Sequence, residues 1–195
     1  MELDVAALKA RLARATSRAT VYGDDDSGRA AAAVTAAAVL VPIIAHPQLT
    51  VLFTRRTVHL KAHSGQVSFP GGRAEPDDPT PEDTALREAQ EEIGLARSRV
   101  ELLGRCSEYL TRTGFRVTPV IGVIRPPLEL VPDAREVDEV FEVPLAFLLD
   151  PANHRRATRE INGRTVGYYE IEHEGRVIWG ATAGMLVNLY RRIAA

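Results

Sequence analysis

The sequence holds a single cysteine, Cys106, among its 195 residues. One thiol cannot build a disulfide framework within the chain, and it leaves no basis for a cysteine-ligated zinc site. Cys106 is therefore expected as a small buried apolar residue. Aromatic residues are scarce, at 6%, with one tryptophan, Trp179, which is expected in the core. No apolar run approaches the ~20 residues of a membrane span, so no membrane partner is expected. Charge of one sign is also lacking. A formal net charge of -2 gives no global reason to expect a nucleic acid or an anionic membrane as partner. The opening MELDVAALKARLARAT carries acids early, unlike a secretion signal, and the closing RRIAA matches no retention or peroxisomal tag. A cytoplasmic protein, monomeric or homodimeric, is the expectation.

What is present suits a globular chain with a real core: 45% hydrophobic and 26% charged residues. Residues 1–28 read as an extension of helix and loop, and 29–195 as the principal domain. Val5, Leu8, Leu12 and Ala15 lie on one face of a helix over 3–17, followed by the loop GDDDSG at 23–28. The run 33–44 suits a buried strand ended by His46-Pro47. Further strands are expected at 48–54 and 66–69, the latter running into Pro70-Gly71-Gly72. A helix follows with Thr80 as its cap, Pro81 in its first turn, Glu82 and Asp83 at its positive end and Gly94 at its stop. Strands near 100–109, 116–124 and 140–143, a Pro-rich irregular segment at 126–134 and a short helix at 144–149 come next. Turns at Asn162-Gly163 and Glu174-Gly175 separate strands at 164–172 and 176–179. A final helix over 181–193 packs through Met185, Leu186, Leu189, Tyr190 and Ile193. The fold class is α/β (α+β) with a mixed β-sheet.

Local charge is more telling than the net value. Residues 55–63 contain Arg55, Arg56, His59, Lys61 and His63 and no acid, whereas 75–92 hold eight carboxylates against one arginine. A basic stretch beside an acidic one suits a site that holds phosphates together with the cations that neutralise them. In Arg87-Glu88-Ala89-Gln90-Glu91-Glu92, helical spacing crowds Glu88, Glu91 and Glu92 on one side. Crowded carboxylates repel unless something positive sits among them, and ligands that are all oxygen suit a hard cation such as Mg²⁺ or Mn²⁺. The plain alternative is a solvated acidic face in which Arg87 pairs Glu91. The Phe-Pro-Gly-Gly turn upstream weighs against it, because glycines let a backbone approach a ligand closely.

Gly72 to Leu95 resembles the Nudix box, written G-x5-E-x7-R-E-U-x-E-E-x-G-U with U aliphatic. Arg87 to Leu95 matches the second half throughout, with Ala89 as the small aliphatic residue. The first half departs from it: one extra loop residue restores Gly72 to the glycine position and makes Asp78 the nearest equivalent of the first Glu. The resemblance implies an α/β/α sandwich over 29–195 and a metal-dependent hydrolase that cuts a pyrophosphate linkage. It implies Glu88 and Glu92 as metal ligands, with Glu91 a third ligand or the residue that orients the water. It also implies that Arg87 fixes a glutamate and that Gly72 lets the loop close over the site. The family often draws its general base from outside the box, and Glu136, Asp138, Glu139, Glu142 or a glutamate of the box itself are open alternatives.

Leu52-Phe53-Thr54-Arg55-Arg56-Thr57, Lys61, Gly65 and Phe69-Pro70-Gly71-Gly72 are similar to the signature of the coenzyme A pyrophosphatase branch, L-L-T-x-R-[SA]-x3-R-x3-G-x3-F-P-G-G. Phe53, Thr57 and Lys61 depart from it. TRTGFRVTPVIG at 111–122 and IWGATA at 178–183 also look like that branch. Coenzyme A carries a 3′-phosphate besides its pyrophosphate, so Arg55, Arg56 and Lys61 are expected to bind phosphate. Phe69 and Gly71 complete the expected substrate-binding set; Phe69, Tyr109 and Phe115 could contact the adenine or pantetheine arm, but core packing is the better reading for each. The resemblance implies the products 3′,5′-ADP and 4′-phosphopantetheine, with acyl-CoA or oxidised CoA as related substrates. Two rival readings stand beside it. One is a Nudix hydrolase acting on ADP-ribose, NADH or a dinucleoside polyphosphate. The other is a nucleotide-binding protein of the same fold that does not cut its ligand.

Overall fold

The computed structural model describes residues 3–14, 21–22, 34–58, 65–161 and 163–194. His59, Lys61, His63, Ala15, Asn162 and the 23–28 loop lie outside them. Four helices, α1 (Val5–Arg14), α2 (Pro81–Ile93), α3 (Leu145–Leu148) and α4 (Ala181–Ala194), pack around two sheets. The strands are β1 (Val21–Tyr22), β2 (Thr35–Ile44), β3 (Thr50–Arg56), β4 (Val67–Ser68), β5 (Gly71–Arg73), β6 (Val100–Arg105), β7 (Tyr109–Leu110), β8 (Phe115–Ile124), β9 (Val137–Pro144), β10 (Arg155–Ile161), β11 (Arg164–His173) and β12 (Arg176–Trp179).

The large sheet runs β1-β7-β8-β2-β3-β4, with β5 on β2, β6 on β8 and β9 on β3. It is mixed. β2 and β8 are parallel from Thr35↔Phe115 to Ile44↔Ile124, whereas β3 is antiparallel to both β2 and β9. The period-two alternation of β2 gives the sheet two buried faces. Ala38, Leu40 and Ile44 pack with Ala85, Leu86, Ala89 and Ile93 of α2. Val41 and Ile43 pack on the opposite side with Leu8 and Leu12 of α1 and Leu186, Leu189 and Ile193 of α4. The result is a helix–sheet–helix sandwich, to which β10, β11 and β12 add a three-stranded antiparallel sheet.

Several expectations change. The two glycines of the expected Phe-Pro-Gly-Gly turn instead begin a short strand, Gly71–Arg73, on β2. A Cβ at Gly71 would lie 2.5 Å from the Ala38 carbonyl oxygen, so only glycine permits that approach. The expected 100–109 strand divides into β6 and β7, and β9 begins at Val137, ahead of the expected 140. β10 carries no strand signal in the sequence, since its mostly exposed side chains show no apolar alternation. Trp179 is not core. It is half-buried on the outer face of the small sheet. Cys106 is buried as expected, and burial pushes its thiol up to about 11, so it is a neutral packing group. Among the described residues no helix is long and apolar enough to cross a membrane.

Candidate active site

The start and stop of α2 are written locally. The Thr80 side chain accepts from the Asp83 N–H, Pro81 occupies the first turn, and Gly94 ends the helix at φ 69°. A Cβ on Gly94 would meet the Val131 backbone nitrogen at 2.9 Å. That approach lets Val131 N–H and Asp133 N–H donate to Ile93 and Glu92 carbonyls. The Pro-rich segment is thereby strapped to the end of α2, and Glu136 follows it.

Ala85, Ala89 and Ile93 anchor α2 on the sheet, which leaves Glu88 and Glu92 facing the gap between α2 and the ends of β3 and β5. Glu92 is the most enclosed carboxylate there, with its side chain 6% exposed. Its Oε1 lies 3.4 Å from Arg56 Nη1, and the Gly71 N–H also donates to the carboxylate. Oε2 is buried and has no hydrogen-bond partner among the described residues. Burial pushes Glu92 up to about 8; Arg56 opposes this, while Glu88 and Glu136 add to it.

Glu88 lies directly against Gly72. A Cβ there would fall 2.4 Å from Glu88 Oε1, so a side chain at 72 would push the carboxylate from this place. Burial is the main cause that raises Glu88, and Arg87 is the main one that opposes it. Glu91 is 59% exposed on the rim and takes 3.0 Å from Arg87.

Arg87 organises the loop before the helix. It donates to Asp78 at 2.9 Å, to Glu88 and Glu91 at 3.0 Å each, and to the Arg73 carbonyl at 3.0 Å. Asp78 also accepts from Thr84 Oγ1 at 3.0 Å and from the Glu75 N–H at 2.9 Å. The extra loop residue thus makes Asp78 the carboxylate that ties the loop to α2 through Arg87. The Arg87 guanidinium, helped by the Glu75 N–H and the Thr84 hydroxyl, lowers Asp78 to about 2 against burial, which acts the other way.

A stability prediction follows from this pairing. The stability contributed by Asp78 is complete above its ordinary pKa of 3.8 and is lost as pH falls through about 2. Asp78→Asn should cost about 1–3 kcal/mol at pH 7. Urea unfolding of variant and parent should converge between pH 4 and pH 2. A gap that persists unchanged at pH 2 would show that the charge is not the cause.

The four base candidates separate in space. A register shift between Arg55 and Arg56 in the β3–β9 pairing sends Glu139 toward Arg55 and leaves Glu136 near Arg56. Arg55 pairs Asp138 at 2.8 Å and Glu139 at 3.2 Å. Glu142 is engaged elsewhere, with His46 at 3.0 Å and with Thr50 Oγ1. Of the four, only Glu136 acts on both Glu88 and Glu92, and its carboxylate is 3.8 Å from Arg56 Nη2.

The arginine pair also divides. Alternation along β3 puts Arg56 on the α2 side and Arg55 on the other, a separation that a period of two in the sequence foreshadows. Phe69 takes the core place preferred for it and leaves the substrate-binding set: it is 2% exposed and stacks on Phe53 with ring centroids 5.1 Å apart. Tyr109 is likewise buried, and Phe115 is half-buried.

The donors suit a hard divalent cation. Glu92 Oε2 is a buried oxygen in need of a partner, and a second desolvated carboxylate faces the same gap. As placed, no three His, Cys, Asp or Glu side chains among the described residues stand together as a ready-made metal cluster. Two of the carboxylates, Glu88 and Glu91, are held by Arg87.

Known proteins resemble this chain in sequence and in fold. The NUDIX domain family matches residues 34–161. The chain is 38% identical over 158 residues to the uncharacterized Nudix hydrolase NudL of Yersinia pestis (strain Pestoides F), spanning 81% of this chain and 79% of that one. The NudL of Yersinia pseudotuberculosis serotype O:1b (strain IP 31758) matches with the same figures. Among solved structures, the Nudix hydrolase RenU of M. smegmatis aligns with a TM-score of 0.51 at 25% identity, over 66% of this chain and 81% of that one. A MutT/nudix family protein of Enterococcus faecalis shares the fold, with a TM-score of 0.53 at 15% identity over 100% of this chain and 76% of that one. With the box residues gathered at the end of α2 and both kinds of likeness in accord, the chain belongs to the Nudix hydrolase family.

Proposed function

We propose that the protein is a Mg²⁺- or Mn²⁺-dependent pyrophosphohydrolase of coenzyme A, releasing 3′,5′-ADP and 4′-phosphopantetheine. The observation that carries the hydrolytic reading is the buried, unpartnered Oε2 of Glu92 beside the Gly72–Glu88 contact. Glu88 and Glu92 would hold the cation, with Glu91 at the rim as a third ligand or as the group that orients water. When bound, the cation neutralises pyrophosphate charge and lowers the pKa of a coordinated water. The chain's own groups do the rest. Arg56 offers its guanidinium to a phosphate oxygen from beside Glu92, and Arg87 fixes Glu88 and Glu91 without reaching substrate. Glu136 is our choice of base, able to accept the proton of the attacking water from its place near Arg56. Gly72 admits the Glu88 carboxylate, and Gly71 N–H holds Glu92.

The choice of coenzyme A rests on the 52–72 resemblance and on Arg55 and Arg56, two phosphate-binding side chains at the end of one strand. Lys61, the third cation of that motif, lies outside the described residues. The test is product analysis by mass spectrometry, with Mg²⁺ and with coenzyme A, 3′-dephospho-CoA, ADP-ribose and NADH supplied side by side. Coenzyme A should yield the two products, and dephospho-CoA should react at least about tenfold more slowly, as loss of a charged phosphate contact requires. ADP-ribose cleaved while coenzyme A is untouched would end the coenzyme A reading and keep the metal site. Chelation should abolish all turnover.

A further inference from the structure

A second concavity lies across β3 from the carboxylates. It is a cleft of about 450 Å³ between the end of β3 and β4 and the outer face of β10–β12. A site of that size takes a group as large as a mononucleotide. Antiparallel pairing of Glu170 with Trp179 sets Tyr168 diagonally beside the indole, and the two rings meet edge to face at 5.9 Å. Both rings are half-buried, and Val177 beside them is 38% exposed, so this sheet face presents apolar surface that nothing in the described residues covers.

The cleft is cationic as well as aromatic. Arg159 lies over the Trp179 ring at 5.7 Å and has no ion-pair partner among the described residues. Arg55 and Arg176 line the opposite wall, where Glu139 from β9 pairs both and Asp138 pairs Arg55 as well. The acid inside the cleft, Glu170, is already engaged by Arg155. The cleft therefore carries one guanidinium, Arg159, in excess of its carboxylates, and an exposed π-face beside such a group is the chemistry that holds a nucleobase and its phosphate. Arg55 and Arg56 are consecutive, one lining this cleft and the other beside Glu92, so the end of β3 separates the two places by one residue.

We infer that this cleft seats the nucleoside end of the substrate, with the purine ring against Tyr168 and Trp179 and its phosphate monoester on Arg159 and Arg176. The inference rests on the nucleotide-pyrophosphate reading above and adds a recognition site outside the box.

The chain supplies its own reporter, because Trp179 is its single tryptophan. Full-length, metal-free protein is titrated with adenosine 3′,5′-bisphosphate while tryptophan emission is followed. A saturable change is expected, with affinity about tenfold weaker in Arg159→Gln. Arg159 is exposed on an edge strand, so its replacement leaves the fold intact. With Mg²⁺, the same variant should raise KM for coenzyme A by a similar factor, an effect carried by KM and not by kcat. Phosphopantetheine, which lacks the ring, should leave the emission unchanged. Emission that ignores the bisphosphate while coenzyme A is hydrolysed would overturn this inference and spare the functional reading. A bisphosphate response that depends on Arg159 in a protein unable to cut coenzyme A would keep the cleft as a nucleotide site and remove that substrate. Unchanged affinity and KM in Arg159→Gln would also overturn it.

Discussion

Glu92→Gln should remove turnover and, in the metal-free protein, raise stability. The activity loss is expected at about 100-fold or more, the scale seen when one preorganised electrostatic partner of a reaction is deleted. The stability gain has a separate cause. Glu92 is buried with one oxygen unpartnered, a cost that the folded chain carries until a cation arrives. Its ordinary pKa of 4.5 is pushed up to about 8 in the fold, so the unfolded chain releases its proton first as pH rises. Near pH 4.5 the group costs nothing; between there and pH 8 the parent loses stability that the amide does not. Thermal unfolding in chelator should therefore show the variant melting a few degrees above the parent at pH 8, with the difference vanishing near pH 4.5. A variant less stable than the parent at pH 8 would mean that Arg56 and Gly71 already satisfy the carboxylate.

Gly72→Ala should be nearly as damaging, for a steric reason. The added methyl would fall 2.4 Å from Glu88 Oε1 and 2.5 Å from its Cδ, well inside contact distance. Either Glu88 swings away from Glu92 or β5 lifts off β2, where Gly72 pairs with Ala38. The atoms met are the far end of a flexible side chain, so the cheaper outcome is that the Glu88 carboxylate moves. Displacing a ligand by about 1 Å costs on the order of 100-fold in rate. Circular dichroism should show the fold retained while kcat falls. Full activity in Gly72→Ala would mean that Glu88 need not stay where it lies against this loop.

The parts legible in the sequence are those whose signals are local. The cap at Thr80, the proline after it and the stop at Gly94 sit within the helix they delimit, and α2 runs between them as expected. The same holds for Leu8, Leu12, Met185 and Leu186, whose helical spacing places them in one core. What escaped depends on partners distant in the chain. Trp179 looks like a core residue until the pairing of β12 with β11 turns it outward. β10 carries its charges on an exposed edge and lacks the alternation that marks a strand. Gly71–Arg73 becomes a strand only because β2 lies beside it. The four acids between 136 and 142 look equivalent in sequence. It is the shift in the β3–β9 register that leaves Glu136 near Arg56 and sends Asp138 and Glu139 to Arg55. Asp78 is a similar case: the box spacing marks a loop one residue too long, and only the fold reveals the carboxylate bound to Arg87.

The account depends most on the claim that Glu88 and Glu92 form a cation site. It is tested most directly by titrating the metal-free protein with Mn²⁺ and reading the free ion by electron paramagnetic resonance. Saturable binding to the parent, lost or weakened at least about tenfold in Glu92→Gln, is the predicted result. Mn²⁺ bound equally well by parent and variant, with the fold of both intact, would contradict it.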